Sequence, residues 1–544
     1  MSPEAFDYVI IGAGTAGCVL ANRLSEGGRN SVCLVEAGLQ DNHPLIHVPA
    51  GVAFTIGNPT VNWGYRTVPQ IHADGRELVV PRGRVLGGSS SINGMVYFRG
   101  HPGDFDDWAA AGAPGWGYAD VLPYFVRSED NLTFRTSAYH GVGGAMAIGD
   151  VPRVNPLIDA FLTAADSLQL RRQSDFNGPD PEGFGTRQSA ISKGRRVSGA
   201  TAFLGPAQAR ANLTVRTGVM VRRILFEGRR AVAVEIEREG EISRIEARRE
   251  TILSAGAYGS PAILLRSGIG DAAELNRMGI EPVLDLPGVG RGLRDHPAAP
   301  IAMRTRDTTS YGLSWRNVPQ NLWTALRYLL FRTGPIASNL FEAAGFTRSG
   351  PGIARPDLQL IMMPAVRNAT PFPLPLGHGY GILSVAIRPR SRGSVRLATR
   401  EPRDAPLIDP NFLADPADLM VIRRGLELGR RLLSAPAFAR YGAVEKEPGS
   451  DVRSADELED HIRRSVVTVH HPACSCRMGT DPLAVVDATL KVFGTEGLKI
   501  ADASIFPTLL AGNTNAAVVM VAEKAADLIL GRPAPDPMPL PHAA

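Results

Sequence analysis

A glycine-rich turn between two apolar segments near the start of the chain most constrains its fold. In "FDYVIIGAGTAGCVLANRLSE", residues Phe6–Ile11 predict a buried strand, and the residues after Gly17 predict a helix. The next apolar run, "SVCLVEAG", predicts a second strand that ends at Glu36, nineteen positions beyond Gly17. This order of strand, G-x-G-x-x-G turn, helix, strand and acid indicates a unit that binds a dinucleotide.

Each residue of the motif has a physical task. Gly12 permits the tight turn, Gly14 lets the backbone approach the pyrophosphate, and Gly17 lets helix and strand pack closely. Amide groups at the helix N-terminus receive the phosphate charge, and Glu36 accepts hydrogen bonds from ribose hydroxyls. The competing interpretation, an ordinary glycine-rich turn, does not account for the second strand and its acid. The motif alone does not distinguish FAD from NAD.

Composition narrows the class of protein. The chain has 544 residues, too many for one hydrophobic core, and its 44% hydrophobic and 21% charged residues are typical of globular proteins. A net charge of +4 spread along the chain does not indicate nucleic-acid binding. Four cysteines are too few for a disulfide framework, and we find neither a signal peptide nor an apolar stretch of about 20 residues. We predict a cytoplasmic protein, compatible with peripheral contact at the inner face of the membrane.

Two further stretches combine glycine with small polar residues. Residues 80–100, "VPRGRVLGGSSSINGMVYFRG", contain Gly87, Gly88 and three serines that can cap a helix or bond phosphates. Residues 250–270, "ETILSAGAYGSPAILLRSGIG", predict an apolar strand, a small-residue turn and a helix that ends at Gly268. A flexible surface loop is the other interpretation of the first stretch.

With these three motifs in this order, the chain resembles the glucose–methanol–choline (GMC) oxidoreductases, which bind FAD. The resemblance covers nearly the whole chain. It is strongest to bacterial FAD-dependent alcohol dehydrogenases, the branch of the aliphatic-alcohol, polyethylene-glycol, L-sorbose and choline dehydrogenases. It implies that Asn93, Gly94, Met95 and Val96 line the isoalloxazine and ribityl side, and that Val221 meets the adenine through its backbone.

The same resemblance implies how the cofactor is held. Some members attach FAD covalently through a histidine, but this chain has Ile92 at that place, so we expect non-covalent FAD. We also expect cofactor contacts at Thr15, Ala16, Ala37, Arg84, Gly88, His470, Asp502, Ala503, Asn515 and Ala516.

The segment "TVHHPACSCRMGT", residues 468–480, contains the predicted catalytic base. Its C-x-C pair, Cys474 and Cys476, matches neither the usual zinc spacing nor a C-x-x-C redox pair, so we expect no metal and two small core side chains. The family's H-P-x-x-[small/Cys]-x-[KR]-M-G run matches "HPACSCRMG", which places the base at His471. Imidazole titrates near working pH and suits removal of an alcohol proton. We interpret His296, in "RDHPAAP", as structural.

The C-terminal region supplies the second catalytic group. The strand "LKIADAS" brings Asp502 to a position suited to the ribityl hydroxyls, and "NTNAAVVMVAEKAADLILG" predicts a capped helix. The positive end of that helix would stabilise reduced flavin, although an ordinary core helix is the alternative. By resemblance, Asn515 takes the second catalytic position, where many relatives have histidine. An amide is not a strong base, which favours His471 as the single base.

The order of the predicted elements indicates an α/β protein (α+β overall), in which a Rossmann-like FAD-binding domain is interleaved with an antiparallel-sheet substrate domain. We assign residues 1–155, 190–300 and 466–531 to the first domain, 156–189 and 301–465 to the second, and 532–544 to a disordered tail. In the second domain, "GYGILSVAIRPRSRGSVRLAT" predicts two strands around a basic turn. Glu342 is expected to reach the substrate cavity, with a structural carboxylate as the alternative.

We therefore predict an FAD-dependent alcohol dehydrogenase that forms an aldehyde or ketone. His471 takes the hydroxyl proton, flavin N5 takes the hydride, and a quinone or similar acceptor receives the electrons. The alternatives are an alcohol oxidase that reduces O₂ to hydrogen peroxide and, in another class, a hydroxynitrile lyase. Sugar, polyol, aliphatic, aromatic and choline-like alcohols all remain open as substrates.

Overall fold

The computed structural model describes residues 4–151, 155–365 and 376–538. These residues form two seven-stranded sheets together with several short ones. The predicted α/β fold with a Rossmann-like unit is confirmed.

The first sheet contains the N-terminal fingerprint. Its strands are, in spatial order, Met220–Glu227, Arg230–Arg238, Glu241–Leu253, Glu4–Ile11, Val32–Val35 and Leu213–Arg216, with Leu498–Ile500 paired to Glu241–Leu253. Ile11 lies level with Leu253 on one side and with Val35 on the other, in parallel pairing. The carboxyl ends of these strands therefore meet at one edge, where sheets of this kind bind ligands.

Two helices pack together near that edge. Helix Thr15–Leu24 is buried along nearly its whole length and contacts the C-terminal helix, Asn515–Leu530. Arg23 Nη2 and Glu523 Oε1, 2.8 Å apart, form an ion pair between the two helices. The other helices of the described chain are Pro44–His47, Val52–Thr55, Pro102–Ala110, Tyr118–Ser128, Pro156–Ser167, Gly205–Ala207, Gly256–Arg266, Ala272–Arg277, Val318–Phe331, Pro416–Leu433, Pro436–Ala439 and Ala455–Ser465.

The second sheet is antiparallel. Its strands are, in spatial order, Val444–Glu447, Pro297–Thr305, His378–Ala386, Leu358–Met363, Ala343–Thr347 and Gly183–Thr186, and Val467–Thr468 pairs with Pro297–Thr305. Side chains of Leu358–Met363 alternate between two environments. Leu360 and Met362 belong to a core cluster that also contains residues of helix Pro416–Leu433, whereas Ile361 and Met363 line a cavity.

Short strands complete the fold. They are Glu129–Asn131, Met146–Asp150, Gln188–Ser189, Ile191–Ser192, Arg195–Arg196, Ile269–Gly270, Leu284–Asp285, Arg291–Leu293, Gly393–Arg396 and Leu407–Asp409.

Some expectations about the organisation of the chain differ from the structure. Strand Pro297–Thr305 crosses the predicted boundary at residue 300, and Val467–Thr468, which we assigned to the FAD-binding domain, belongs to the second sheet. The strands predicted around the basic turn, His378–Ala386 and Gly393–Arg396, exist but do not pair with each other, because the latter joins a separate three-stranded sheet. Local sequence predicts a strand, whereas tertiary packing selects its partner. The remaining domain boundaries stay a prediction.

The predicted tail begins with ordered contacts. Met538 N donates a hydrogen bond to Ala119 O at 3.1 Å, and the Met538 side chain packs against the core beside the first sheet. Residues 539–544 of the predicted disordered tail lie outside the described residues. Among the helices that the structure describes, none has the length and apolar character needed to cross a membrane.

Candidate active site

The glycine fingerprint forms a tight turn at the carboxyl edge of the first sheet. Gly12 has φ +96°, and a Cβ there would lie 2.7 Å from Ser254 O. A Cβ at Gly17 would lie 1.9 Å from Gly12 O, so only glycine lets the helix pack on the turn. Helix Thr15–Leu24 follows Gly14 without a side-chain cap, which leaves its first amides available to an anion.

The loop at residues 80–100 packs on this turn. Gly88 has φ +53°, and a Cβ there would approach Gly14 Cα to 2.7 Å. Arg196 supports the loop from behind, since its Nη1 donates to Ser90 O at 3.1 Å and to Asn93 O at 2.7 Å. The loop is therefore an ordered wall rather than a flexible surface segment.

Glu36 stands where its strand ends. Its carboxylate accepts hydrogen bonds from Ala13 N at 2.9 Å and Gly38 N at 2.8 Å, and burial raises its pKa to about 7. A carboxylate has about four acceptor positions, so two remain for ribose hydroxyls.

Asp502 has more of its hydrogen-bond acceptor positions occupied by protein groups than Glu36 has. It accepts from Gly256 N at 2.9 Å, from Ser504 N at 2.8 Å and from the Ser260 hydroxyl at 2.5 Å, and burial raises its pKa. These bonds tie the strand Leu498–Ile500 to the turn before helix Gly256–Arg266.

A cavity of about 520 Å³ extends from these strand ends to the second sheet. Its volume lies within the range of ~300–1,000 Å³ that is typical of ligand sites. The predicted residues that line it are Gly12, Gly14, Thr15, Ala16, Glu36, Ala37, Gly88, Asn93, Gly94, Met95, Val96, Val221, His470, His471, Asp502, Ala503 and Asn515. Gly17, Arg84, Glu342 and Ala516 do not line it.

Two of these exceptions, Arg84 and Ala516, have side chains that pack elsewhere, and their cofactor contacts stay a prediction. The Arg84 guanidinium lies over the Trp63 ring, 4.9 Å from its centroid. Ala516 belongs to the buried core around the C-terminal helix.

Glu342, which we expected to reach the cavity, turns away from it. Its Oε1 accepts hydrogen bonds from the Tyr311 hydroxyl at 2.8 Å and from the Ser338 hydroxyl at 2.7 Å, and burial raises its pKa. The cavity is instead lined by the preceding residue, Phe341. Adjacent residues of extended chain point to opposite sides, and the sequence did not indicate which side faced the cavity.

His471 meets His296 in the cavity wall. Buried Asp295 holds both backbones, since its Oδ1 accepts from His296 N at 2.8 Å and from His471 N at 2.7 Å. The two Nδ1 atoms lie 3.1 Å apart, and the rings are nearly perpendicular, at 82°. His296, which we interpreted as structural, therefore contacts the predicted base directly.

The carbonyl of Leu510 determines where the protons of this pair lie. It is 3.0 Å from His296 Nε2 and can only accept, so that nitrogen carries a proton. Burial lowers the pKa of His296 to about 4, so at neutral pH its Nδ1 accepts a hydrogen bond from Nδ1–H of His471. His471 Nε2 therefore keeps its lone pair, and it accepts from Asn513 Nδ2 at 2.9 Å.

The surroundings keep His471 neutral. Burial lowers the pKa of His471 well below its usual range, and the positive charges of Arg82 and Arg187 lower it further. A neutral imidazole with an available lone pair is the form that a general base requires.

The asparagine that faces His471 differs by two positions from the one that we predicted to be catalytic. Asn513 contacts His471 Nε2, whereas Asn515 begins the C-terminal helix, and its Oδ1 accepts from the Thr15 hydroxyl at 2.7 Å. The segment "GNTN" offers two asparagines, and the path of the chain before the helix decides which one faces the imidazole.

Sequence reasoning missed three polar residues of the cavity wall. Arg82 lies inside the quoted 80–100 stretch, and its Nη2 donates to His470 O at 2.8 Å. The Tyr258 hydroxyl is buried without a hydrogen-bond partner among the described residues. Arg187 is 3% exposed. Neither Tyr258 nor Arg187 belonged to a motif that assigned it a role.

The cysteines behave as core side chains. Burial raises the pKa of Cys474 to about 11, and it also raises that of Cys476, so neither thiol is activated. Within the described parts of the chain, no cluster of three His, Cys, Asp or Glu side chains could hold a metal ion.

The cavity fits FAD. It combines an uncapped helix N-terminus for the pyrophosphate, a buried carboxylate for a ribose, and a buried Tyr258 hydroxyl that lacks a partner. It also reaches the His471–Asn513 pair, where a redox-active ring would meet a substrate.

Comparison with known proteins agrees with this geometry. Two family models described as GMC oxidoreductase match residues 6–298 and 389–522. The chain is 44% identical over 529 residues to an oxygen-dependent choline dehydrogenase of Brucella anthropi, covering 97% of this chain and 96% of the relative. It is 41% identical over 527 residues to an alcohol dehydrogenase [acceptor] of Pseudomonas putida, covering 96% of each chain.

Solved structures show the same fold. The pyridoxine 4-oxidase from Mesorbium loti superposes with a TM-score of 0.87 at 35% identity, covering 97% of this chain and 99% of the other. A formate oxidase superposes with a TM-score of 0.91 at 27% identity, covering 98% of this chain and 99% of the other.

Proposed function

The chain belongs to the GMC oxidoreductase family of FAD-dependent enzymes, and on this premise we propose that it oxidises an alcohol to an aldehyde or ketone, with His471 as the single general base. The observation that supports this most is the orientation of His471. Its Nε2 lone pair lies in the cavity wall, and its other nitrogen is committed to His296.

The cofactor would be held without a covalent bond. Glu36 would bind a ribose, the turn at Gly12–Gly17 the pyrophosphate, and Val221 the adenine. Ile92 lines the cavity and carries no nucleophile, which supports non-covalent attachment. When bound, FAD supplies the hydride acceptor for the oxidation.

The protein's own groups handle the proton. An alcohol hydroxyl that donates to His471 Nε2 takes the place of the Asn513 amide, which can then donate to the alcohol oxygen. Once protonated, His471 donates from both nitrogens, and His296 Nδ1 already accepts one of these bonds. Asn513 thus orients the alcohol while His471 receives its proton.

The electron acceptor is proposed to be a quinone or similar compound. An oxidase that forms hydrogen peroxide is the second candidate, because the pyridoxine 4-oxidase and formate oxidase share this fold over nearly their whole length. Measuring peroxide during turnover in air, against turnover with a quinone or dye, separates the two.

The first experiment mixes purified holoenzyme anaerobically with a panel of alcohols and follows the flavin absorbance. Bleaching by at least one alcohol is expected, whereas cyanide release from cyanohydrins without bleaching would favour a lyase. His471→Ala should lower kcat/KM by about 10²-fold or more, as expected for loss of a general base. His461→Ala is the matched control, because His461 contacts Ser465 and does not line the cavity. Near-normal rates in His471→Ala at full flavin content would reject the assignment.

A further inference from the structure

Arg187 is a buried cation in the cavity wall without an acidic partner. It is 3% exposed and follows the strand Gly183–Thr186. Its Nε and Nη2 donate to one acceptor, Phe341 O, at 3.1 and 2.7 Å. In the described part of the chain, Nη1 makes no hydrogen bond and no carboxylate forms an ion pair with the guanidinium. The undescribed segments contain no Asp or Glu.

The charges around Arg187 leave it electrostatically isolated. Burial alone lowers its pKa to about 9, with no contribution from any acid. The acids that line the cavity are Glu36, Asp404 and Asp502, and the carboxylate of Glu342 points to Tyr311 and Ser338 instead. The apolar side chains of Phe341, Ile361, Met363 and Leu383 also line the cavity.

A buried charge without a partner is unfavourable, and an anion that enters the cavity removes this penalty. The guanidinium edge formed by Nη1 and the second hydrogen of Nη2 has the geometry that binds a carboxylate through two hydrogen bonds. Arg187 and His471 line the same cavity, and the charge of Arg187 contributes to lowering the pKa of His471.

We propose that Arg187 binds a carboxylate of the substrate, so that the preferred alcohols are hydroxy acids. This inference rests on the proposed function for the alcohol part of the substrate. A quaternary ammonium alcohol such as choline meets a cation here in place of an acid. The substrate class therefore differs from that in the name of the choline dehydrogenase relatives.

The test uses holoenzyme, one matched pair of ligands and a set of three alcohols. Butanoate and butanamide, which are not substrates, are titrated while flavin absorbance and thermal melting are recorded. 4-Hydroxybutanoate, 1-butanol and choline are compared as reductants of the bound flavin. The variants are Arg187→Met, which removes the charge, and Arg187→Lys, which keeps the charge without the planar fork.

Wild type should bind butanoate at least 10-fold more tightly than butanamide and should prefer 4-hydroxybutanoate to 1-butanol and choline. Arg187→Met should abolish both preferences, and Arg187→Lys should retain part of each. If wild type binds the amide as tightly as the acid, the proposal is overturned. The same holds if Arg187→Met changes the flavin midpoint potential but not butanoate binding, because Arg187 then acts on the cofactor.

These outcomes are separable from failure of the proposed function. Bleaching by neutral alcohols without carboxylate selectivity would leave the alcohol oxidation standing and reject the role of Arg187. Arg187-dependent butanoate binding without bleaching by any alcohol would support the role of Arg187 and reject the alcohol oxidation. If Arg187→Met loses FAD, the wild-type selectivity and Arg187→Lys still decide the question.

A second, independent observation concerns the exposed helix Val318–Phe331. Among its side chains only Tyr328 is buried, and its hydroxyl donates to Gly194 O at 2.9 Å. Leu322 is 66% exposed and Trp323 57% exposed. The other exposed large apolar side chains in and beside the helix are Leu313, Trp315, Val318, Leu326, Leu329, Leu330, Phe331 and Leu376.

The positive charge of residues 308–341 favours an anionic partner. Residues 308–341 contain Arg316, Arg327 and Arg332 but no Asp or Glu. Exposed Trp, Leu and Phe side chains combined with arginines are typical of helices that lie in the interface of anionic membranes. A two-fold contact with a second copy would bring these arginines together with no acid from the segment to pair with them. We infer that this helix docks the protein on an anionic lipid surface.

Flotation with phosphatidylcholine vesicles, with and without phosphatidylglycerol, tests this docking. Wild type should float with the anionic vesicles, and Leu322→Ser/Leu329→Ser and Arg316→Gln/Arg327→Gln should each bind at least 10-fold more weakly. Ile242→Ser/Leu483→Ser, which removes exposed apolar side chains from other elements, is the control and should bind like wild type. Absence of flotation, or a dimer in sedimentation that Leu322→Ser/Leu329→Ser dissociates, would overturn the inference.

Discussion

Replacing His296 by leucine tests the hydrogen-bonded chain that orients His471. The side chain is fully buried, and its two nitrogens connect Leu510 O with His471 Nδ1. Leucine has a similar volume but neither donates nor accepts. His471 Nδ1–H then has no acceptor, and the imidazole gains by moving its proton to Nε2, where the Asn513 amide can rotate to accept it. The lone pair needed for catalysis is lost in that tautomer.

The expected decrease in kcat/KM follows from the number of hydrogen bonds that His296→Leu removes. One hydrogen bond holds the productive tautomer, and leaving a buried partner unsatisfied costs about 1–3 kcal/mol. Since about 1.4 kcal/mol is a factor of ten, His296→Leu should lower kcat/KM by about 5- to 150-fold. His296→Gln should retain most of the activity, because its amide can donate to Leu510 O and accept from His471.

The assay is the rate of anaerobic flavin reduction, normalised to flavin content from the absorbance spectrum. Equal flavin content in both variants excludes loss of cofactor as the cause. Activity of His296→Leu within twofold of wild type would refute the proposed proton arrangement, and so would equal damage in His296→Gln.

Other predictions address the remaining parts of the site. Asn513→Ala should lower kcat/KM by about tenfold or more, whereas Asn515→Ala should affect flavin binding more than the rate with bound flavin; the opposite pattern would restore Asn515 as the catalytic amide. His296 has a pKa of about 4 in the folded protein against 6.5 as its ordinary value, so only the unfolded chain gains a proton between these values and stability falls as pH decreases through that window. A shift of this size corresponds to about 3 kcal/mol, so denaturation followed from pH 7 to pH 4 should show a smaller loss in His296→Gln than in wild type. Glu36→Ala should weaken FAD binding about 10- to 100-fold, measured by titration of apoprotein with FAD, because the hydrogen-bond acceptor at the ribose is lost. Gly17→Ala should yield protein without flavin absorbance, since its Cβ would lie 1.9 Å from Gly12 O.

The local chemistry of the nucleotide end could be predicted from the sequence. Gly12, Gly14 and Glu36 lie within one contiguous strand–turn–helix–strand unit, so their spacing alone fixes how they meet. The position of His471 in the cavity wall could also be predicted, because the residues that follow it form a short run resembling that of a known family. In these cases the residues on which the prediction is based lie within a few tens of positions of one another.

Contacts between distant segments were decided by the tertiary structure alone. His296 and His471 are 175 positions apart and meet because the strands Pro297–Thr305 and Val467–Thr468 pair, while Thr15 and Asn515 are 500 positions apart. The choice of Asn513 over Asn515, the turn of Glu342 away from the cavity, and the isolation of Arg187 from every acid all depend on such packing. Sequence periodicity determines which elements form and what their ends can bind. Which side chains face one another across the cavity is decided only when the sheets assemble, because burial and pairing act between residues that no local pattern connects.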